Sequence, residues 1–337
     1  MNTKLFLFLF LAIPVGMRAQ DSHSLQLKLE ARGDYQRMYV DQKTSKDDCG
    51  FKGKYLNMVL TGNITENLSY AYRQPLNKFH KDASFFDATD WLYIDYHITG
   101  KWSVSGGKQV VGIGGYEYDR APIDLYFCSE FWNNIPCYQW GASGTYAVTP
   151  KDRLTFQFCQ SPFRQFYQDT DMYAYNLLWN GKHGLWNTIW SVNLMEWQEG
   201  KFINYISLGN EILVNKFLQL RLDYLNRASS HQTFLFRDCT VVGELSYQPS
   251  QRVNVFVKAS YDVNKSGNDA DLMVHDGTEL TSMGMGFEYF PLKNKDLRIH
   301  ANYSYTWGSN SHSNGILHDK QSLIDLGLTW RMNIINN

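Results

Sequence analysis

The charged residues of one segment of the sequence, residues 112–137, are mostly acidic. The segment carries four carboxylates and one guanidinium, namely Glu117, Asp119, Asp124, Glu130 and Arg120. Fixed charges of this kind beside a water-filled passage attract ions of one sign and repel ions of the other. We therefore treat these five residues as candidates for electrostatic selection.

Motifs for catalysis are missing from the sequence. There is no Gly-x-Ser-x-Gly elbow, no His-Glu-x-x-His pair and no glycine-rich phosphate loop. His97 and His300 occupy polar positions of alternating segments, where lining a wet surface is commoner than acting as a base or a metal ligand. We predict no enzyme activity, no cofactor and no metal site. The alternative from another class is a hydrolase embedded in a barrel, either a lipase or a protease.

The first 20 residues have the pattern of a secretory signal. A basic region ends at Lys4, an apolar core follows over Leu5–Val15, and polar residues begin at Asp21. The apolar core is well short of the roughly 20 residues that a spanning helix needs. We predict a signal peptide over residues 1–20 and a single mature domain over residues 21–337.

Export would place the five cysteines in an oxidising compartment, where disulfides form. Cys128 and Cys137 are the closest pair in the sequence. A disulfide between them and two unpaired thiols are both consistent with this spacing. No CxxC motif is present, so the cysteines give no sign of a zinc site.

The composition excludes several classes of protein. The 337 residues include 32 Lys+Arg and 33 Asp+Glu, which leaves no basic excess for nucleic acid. Hydrophobic residues make up 44% and aromatic residues 15%, so the chain is not disordered. Mean hydropathy is nevertheless −0.40, which requires apolar and polar residues to be finely interleaved. Such interleaving is typical of strands with one apolar face.

Sixteen segments show this alternation of apolar and polar residues. In the clearest, Leu297 to Trp307, every second residue is apolar and the residues between are mostly polar. We predict strands at 25–36, 54–64, 68–74, 89–99, 102–111, 138–148, 153–161, 172–180, 186–196, 201–209, 216–226, 239–247, 253–262, 280–290, 297–307 and 321–333. Most have about ten residues, the length that a tilted strand needs to cross a bilayer.

The connections alternate in length. Links after even-numbered strands are short and rich in turn residues, whereas links after odd-numbered strands are mostly long, with 197–200 as an exception. Short turns at one end and long loops at the other are typical of outer-membrane barrels. A soluble β-sandwich is the alternative, but the sequence shows no linker or composition shift that would divide a sandwich of this size. We predict an all-β fold, a transmembrane antiparallel barrel of about 16 strands.

A barrel this wide has a lumen that its own side chains cannot fill. Segment 112–137 is the longest link and is rich in aromatic residues, so we expect it to fold inward as a constriction loop. The strand pattern places these charged residues on the lumen wall: Lys28, Arg32, Arg73, Asp95, Arg221, Lys258 and Arg298. We expect three of them to form a basic wall opposite three acidic loop residues, namely Arg32, Arg73 and Arg221 opposite Asp119, Asp124 and Glu130.

The passage from strand to inner loop, Gly107-Lys108-Gln109-Val110-Val111-Gly112-Ile113-Gly114-Gly115-Tyr116-Glu117, resembles that of the phosphate-selective porin O and P family. The family's usual proline is absent here. The resemblance implies an outer-membrane pore through which small hydrophilic solutes or ions diffuse passively. Phosphate selectivity is not carried over, because basic and acidic residues on the predicted lumen face nearly balance, eight against seven.

The last strand carries a second resemblance. Asp325 to Met332 is similar to the signal that the barrel-assembly machinery recognises, although Met332 stands where an aromatic residue is usual. We therefore expect that machinery and outer-membrane lipid as partners, and localisation in the bacterial outer membrane. Related porins are often trimers, which implies a homotrimer. A partner-dependent export barrel is a third functional alternative.

Overall fold

A computed structural model describes residues 23–78, 84–167, 171–229, 235–267, 270–311 and 320–336. The predicted signal peptide, residues 1–20, lies outside these residues. Within them, no helix has the length and apolar character to span a bilayer. Among the described residues, helices are single turns within the links between strands: Phe85–Ala88, Tyr116–Asp119, Pro122–Asp124, Glu130–Asn134 and Arg164–Tyr167.

Sixteen long strands and one two-residue strand form a single sheet. They are β1 (Ser24–Val40), β2 (Lys43–Thr44), β3 (Gly50–Asn63), β4 (Leu68–Pro75), β5 (Trp91–His97), β6 (Trp102–Val110), β7 (Tyr138–Ala147), β8 (Asp152–Gln160), β9 (Tyr173–His183), β10 (Trp186–Gln198), β11 (Lys201–Leu213), β12 (Leu218–Ser229), β13 (Asp238–Ser250), β14 (Val253–Asn264), β15 (Glu279–Tyr289), β16 (Leu297–Ser309) and β17 (Lys320–Asn336). The predicted number of long strands is confirmed.

The sheet closes on itself, since the first strand pairs with the last. The register of β1 and β17 runs from Gln26 opposite Asn336 to Val40 opposite Gln321, and β1 also pairs with β3 on its other side. All neighbours are antiparallel. Closure matters because an open strand edge in lipid would leave backbone N–H and C=O groups unpaired, at a cost of several kcal/mol each. The predicted barrel fold is confirmed.

The two faces of the wall differ in the way that the alternation predicts. Along β15, Met283, Met285 and Phe287 are exposed on the outside, whereas Gly284 and Gly286 between them are buried in the interior. Three exposed tryptophans mark the rim with the short turns, namely Trp102, Trp186 and Trp330. Apolar side chains outside and polar ones inside are what a bilayer-spanning wall requires.

Several strand limits differ from the prediction, and those of β3 and β5 are examples. β3 begins at Gly50 and not at 54, because β1 continues to offer pairing partners as far as Gln36. A register shift between Arg32 and Gly33 leaves Lys54 without a partner, and this extra residue interrupts the alternation in the sequence. β5 is shorter than predicted and begins at Trp91.

A hydrophobic core lies inside the barrel, at the end where the long loops are. It packs residues of the link between β6 and β7, including Ile113 and Phe131, against Met195 of β10 and Tyr205 of β11. All four side chains are buried. The core fixes this link inside the barrel, as predicted for residues 112–137, which we call the inner loop from here on.

Candidate functional site

The inner loop leaves β6 and crosses the barrel interior along β8 and β10. The Gly112 amide donates to Gln157 Oε1 at 2.8 Å, and Asn193 Nδ2 donates to the Gly112 carbonyl at 2.8 Å. The Gly114 amide donates to Ser191 Oγ at 2.8 Å. These polar wall residues satisfy the backbone groups of the loop, which would otherwise be buried without partners.

Glycines allow the loop to lie directly on the wall. Gly115 has a φ of +110°, a region that residues with a side chain rarely adopt. A Cβ atom at Gly209 of β11 would lie 2.7 Å from the Gly115 Cα, and one at Gly114 would lie 2.5 Å from the Ile189 carbonyl oxygen. Both contacts are with backbone atoms, which cannot rotate away. The spacing between loop and wall therefore depends on these glycines.

Asp223 of β12 holds the turn that carries the first loop charges. Its two carboxylate oxygens accept hydrogen bonds from the amides of Tyr116 and Glu117, at 2.8 and 2.7 Å. These amides open the one-turn helix Tyr116–Asp119, and its unpaired N–H groups favour an anionic acceptor. The side chains of this turn are thereby directed at the next strands of the wall.

Two ion pairs fix the middle of the loop. Arg120 binds Glu244 of β13 through two parallel hydrogen bonds of 2.9 and 2.6 Å. Lys258 of β14 lies 2.6 Å from Glu117 Oε1 and donates to the Phe127 carbonyl at 2.7 Å. The Lys258 and Glu117 side chains are buried, so each charge depends on the other for compensation.

The tip of the loop reaches the seam where the barrel closes. Asp124 lies 2.8 Å from Arg298 of β16 and 2.7 Å from Arg331 of β17. Arg32 of β1 donates to the Leu125 carbonyl at 2.5 Å. The tip is thus bound by cations of three adjacent strands, which span the first and last elements of the barrel.

These contacts correct the expected arrangement of opposite charges. We expected Arg32, Arg73 and Arg221 to face Asp124 and its acidic neighbours across water. Arg32 instead binds the loop segment that contains Asp124, while Arg73 pairs with Asp90 at 3.3 Å. Arg221 pairs with two acidic residues of its own wall, Glu211 and Glu244. The charges are neutralised by contact because the loop lies on the basic wall and not opposite it.

The remaining predicted residues lie apart from the tip. Asp119 is exposed in the lumen, and Glu130 Oε1 accepts hydrogen bonds from Asn134 and Asn310. Asp95 lies 3.3 Å from His97 near the short-turn rim, and Lys28 is half-buried on the same face of β1 as Arg32. The structure therefore brings together Glu117, Arg120, Asp124, Arg32, Arg221, Lys258 and Arg298, and leaves Asp95, Lys28 and Arg73 outside this group.

The inward face of β6 to β8 carries hydroxyl groups and has a different character. Ser105 and Ser143 share a hydrogen bond of 2.7 Å, and Thr145 and Thr155 share one of 2.8 Å. All four residues are half-buried. The sequence analysis did not single them out, although serine and threonine at every second position of neighbouring strands is a readable signal.

In three ion pairs the cationic side chain is more exposed than the carboxylate side chain. Arg120 has 22% of its side chain exposed and Glu244 only 7%. Arg221 exposes 27% against 13% for Glu211, and Arg331 exposes 27% against 16% for Glu30. In these three pairs the guanidinium group is the more accessible charge, whereas in the pair of Arg298 with Asp124 the carboxylate is more accessible, at 27% against 6%.

A cavity of about 450 Å³ lies between the loop tip and the wall formed by β12 to β16. Its lining includes charged residues of the tip and of the wall, Arg120, Asp124, Arg221, Glu288 and Arg298. It reaches the short-turn rim, where turn residues 215–217 contribute. The charged group thus borders a space large enough for several water molecules.

The pKa of Asp124 lies below its ordinary value. Burial raises the pKa, but Arg298 and Arg331 outweigh burial and lower it. We expect Asp124→Asn to reduce the free energy of unfolding by about 1–3 kcal/mol at pH 7, because a hydrogen-bonded charged partner is lost. A carboxyl whose folded pKa is lowered stabilises above its unfolded pKa of about 3.9 and loses that contribution as pH falls through the folded value.

Denaturant unfolding from pH 7 down to pH 3 checks this prediction. The difference between wild type and Asp124→Asn should be constant above about pH 5 and should shrink below about pH 4. Asp47→Asn, which replaces an exposed carboxylate in the link between β2 and β3, is the control. A difference that grows towards low pH would contradict the assigned ion pairs.

Cys128 and Cys137 are both free. Of the two alternatives that their spacing left open, the structure has the unpaired thiols and not the disulfide. The two residues lie in different surroundings: Cys128 is near Lys258 and Glu117, whereas Cys137 is near Asp90 of the opposite wall. Burial raises the pKa of Cys128 to about 12 and that of Cys137 to about 11.

Thiol labelling should therefore be slow in the folded barrel, since the thiolate is the reactive form. We expect iodoacetamide at pH 8 to modify both residues at least about tenfold more slowly in the folded barrel than after unfolding in urea. Mass spectrometry of the digested protein measures this directly. Rapid labelling of folded protein at Cys128 would contradict the raised pKa of its thiol.

A closed antiparallel barrel with an inward loop and a charged lumen defines an outer-membrane porin. Residues 25–185 match the family model described as phosphate-selective porin O and P. This match covers a little less than half of the chain and confirms the resemblance seen in the sequence. The protein is located in the bacterial outer membrane.

Several solved structures have the same fold. The outer-membrane expressed OmpT of Vibrio cholerae has a TM-score of 0.63 at 11% identity, covering 94% of this chain and 100% of that one. An anion-selective porin from Comamonas acidovorans has a TM-score of 0.66 at 8% identity, covering 92% and 100%. A mutant porin from Rh. blastica has a TM-score of 0.53 at 14% identity, covering 91% and 100%. No curated protein matches the chain.

Proposed function

We propose that this porin lets small hydrophilic solutes and ions diffuse passively through the space between the inner loop and the hydroxyl-lined wall. The observation that carries the proposal is the fixed position of the loop, which is bound to β12, β13, β14, β16, β17 and β1. The half-buried hydroxyl groups of Ser105 and Thr155 face it from the other wall. Hydroxyl groups can replace water around a polar solute and bind neither sign of charge strongly.

We further propose a weak preference for anions. Support comes from the exposure of Arg120 and Arg221, which is greater than that of their carboxylate partners, and of Arg331, which is greater than that of Glu30 and equal to that of Asp124. Asp119 and Asp124 are the acidic groups of the loop that oppose this preference. Because cations and anions are close to balance, the expected selectivity is modest and depends on ionic strength.

Single-channel recording in planar bilayers tests both proposals. We expect discrete conducting steps, and a reversal potential under a potassium chloride gradient that indicates anion preference. Arg221→Gln should move the reversal potential towards cation preference and Asp124→Asn should move it the other way. Arg252→Gln, at an exposed turn position, is the matched control.

Two results would overturn these proposals. A barrel that inserts without conducting, and that hydrolyses ester or peptide substrates, would favour the barrel-embedded hydrolase. Conducting steps with the wild-type reversal potential in both variants would support the pore and would show that neither side chain affects ion selection. A conducting barrel with no turnover supports the proposed absence of enzyme activity.

We also propose that the barrel is a homotrimer that uses the outer face of β4 to β7. One of the solved structures of similar fold is described as a trimer form of OmpT from Vibrio cholerae. On this chain the helix Phe85–Ala88 lies on the outer face, where Phe86 packs on Trp140 with ring centres 6.0 Å apart. Lys108 binds the Phe86 carbonyl at 2.8 Å, and half of the Phe86 ring remains exposed.

Unheated gel electrophoresis and chemical cross-linking measure the oligomer. We expect Phe86→Ala to lower the trimer fraction, because exposed aromatic area is a main contributor to interfaces. Phe287→Ala, on an exposed position of β15, should leave the fraction unchanged. A wild-type protein that is monomeric in both measurements would overturn the proposal.

A further inference from the structure

Three potential metal ligands meet at the seam of the barrel, behind the tip of the inner loop. His300 Nε2 lies 3.1 Å from Asp34 Oδ1 and 3.3 Å from Asp325 Oδ1. The three side chains are between 0 and 2% exposed, and one ligand atom from each lies within 4.8 Å of the others. The group consists of one imidazole nitrogen and two carboxylate oxygens.

The strand register explains why these residues converge. On β17, Gly327 is paired with Asp34 of β1 on one side and with His300 of β16 on the other. Asp325 lies two residues before Gly327 on β17 and therefore points to the same face. The three ligands come from both ends of the chain and meet only when the barrel has closed.

Gly327 leaves the space in which the three side chains meet. A Cβ atom at this position would lie 2.1 Å from Asp34 Oδ1 and 2.5 Å from His300 Nε2. Any other residue would push the two ligands away. A glycine in the interior of a strand weakens the strand, and it is typical of places where other atoms must approach closely.

A single N–H cannot satisfy the two carboxylate oxygens that face His300 Nε2. If its hydrogen bond goes to Asp34, Asp325 Oδ1 has no hydrogen-bond donor among the described residues, although it is fully buried. Arg32 adds one positive charge, at 2.7 Å from Asp34 Oδ2 and 3.4 Å from Asp325 Oδ2. With neutral imidazole the group keeps one net negative charge, and its unpaired oxygen is directed at the point where a cation would bind.

We propose that Asp34, His300 and Asp325 bind a divalent first-row transition metal ion, with zinc as the representative. Ligands at about 2.0–2.1 Å in tetrahedral geometry are about 3.3 Å apart, which matches the separations of 3.1 and 3.3 Å. An imidazole ligand and a small number of ligands favour zinc over calcium or magnesium, which prefer six or more oxygen ligands. Arg32 contacts the second carboxylate oxygen of Asp34 and of Asp325, and it thereby orients both side chains.

The site is connected to the inner loop through two residues. The Tyr126 ring of the loop tip packs on the His300 ring, with centres 4.6 Å apart, and lies 4.6 Å from the Arg32 guanidinium carbon. Arg32 also donates to the Leu125 carbonyl. A bound ion would therefore hold the carboxylates that orient Arg32, and Arg32 holds the tip. Since the ligands are assembled only in the closed barrel, binding would stabilise that state over the unfolded chain.

The first test uses the full-length barrel, refolded in detergent with EDTA and then dialysed free of chelator. After incubation with zinc chloride and desalting, we expect about one zinc ion per chain by elemental analysis, and a higher unfolding temperature than without zinc. His300→Gln and Asp325→Asn should both lose the ion and the shift. His97→Gln, which removes a half-exposed histidine beside Asp95, should keep both. Wild type without bound zinc, or equal binding by the His300 and His97 variants, would overturn the proposal.

A second measurement needs only the wild-type chain and remains decisive if a variant does not fold. Cobalt chloride added to the metal-free barrel should produce the intense visible absorption bands of tetrahedral cobalt, and an excess of zinc chloride should abolish them. Absence of these bands would overturn the proposed geometry. Gly327→Ala should fold with the same strand register and lose the bands, because its methyl group occupies the space of the ligands. Neither measurement depends on conduction, so the result is independent of the proposed pore.

Discussion

Lys258→Met is expected to destabilise the barrel by about 3–5 kcal/mol, the cost of removing one partner of a buried ion pair. The Lys258 side chain is 3% exposed and lies 2.6 Å from Glu117. Methionine has a similar length and fills the space, but it leaves the Glu117 carboxylate buried with only the amide and hydroxyl of Ser129 as hydrogen-bond donors among the described residues. The Phe127 carbonyl also loses its donor. The inner loop should therefore be less firmly held at its centre.

Unfolding in urea, followed by tryptophan fluorescence, measures this effect. The double variant Lys258→Met/Glu117→Gln should recover a large part of the loss, because the unpaired charge is then gone. Lys265→Met is the matched control, since it removes a lysine from an exposed pair with Glu279, where such pairs contribute about 0–1 kcal/mol. A cost of Lys258→Met no greater than that of Lys265→Met would contradict the buried pair.

Gly209→Val is expected to lower single-channel conductance and to cost about 1–3 kcal/mol, as overpacking of a tight contact does. The new side chain would meet the backbone of Gly115 and the Ile189 carbonyl. Because these atoms cannot move aside, the loop must shift away from β11 into the lumen, where it narrows the proposed passage. The ion pairs of Arg120 and Asp124 should hold the tip in place and limit the shift.

Planar bilayer recording under the same salt conditions compares the variant with wild type. Gly243→Val is the control, because its nearest neighbour is the flexible end of Leu222 at 3.6 Å. It should conduct as wild type does. Unchanged or increased conductance in Gly209→Val would show that the loop does not border the passage on this side.

The wall of the barrel could be predicted from the sequence because its signal is local. A strand such as β15 alternates apolar and polar residues whatever it pairs with, and short turns after every second strand set the direction of the chain. The inward path of the inner loop followed from its aromatic content. The contacts within the lumen could not be predicted, because they join residues that are distant in the sequence. The Arg32 contact with the Leu125 carbonyl joins residues far apart in the chain, and no periodicity encodes it.

Other features were missed for identifiable reasons. The register shift at Arg32 and Gly33 hides the start of β3, because one extra residue reverses the faces of the strand. Arg73 pairs with Asp90, which lies at the end of a long link whose path the sequence does not reveal. Asp34 is separated from His300 and Asp325 by most of the chain, so no spacing rule for metal ligands could have grouped the three.

The strands that supply the partners of the inner loop determine when the loop can be fixed during assembly of the barrel. The residues that bind its middle and tip come mainly from strands that follow it in the sequence, from Asp223 of β12 to Arg331 of β17. Until those strands have joined the sheet, the carboxylates of the loop have no partners on the wall and remain hydrated. The loop can therefore be held at its tip only once β16, β17 and β1 lie side by side, so the narrow lumen depends on closure of the barrel.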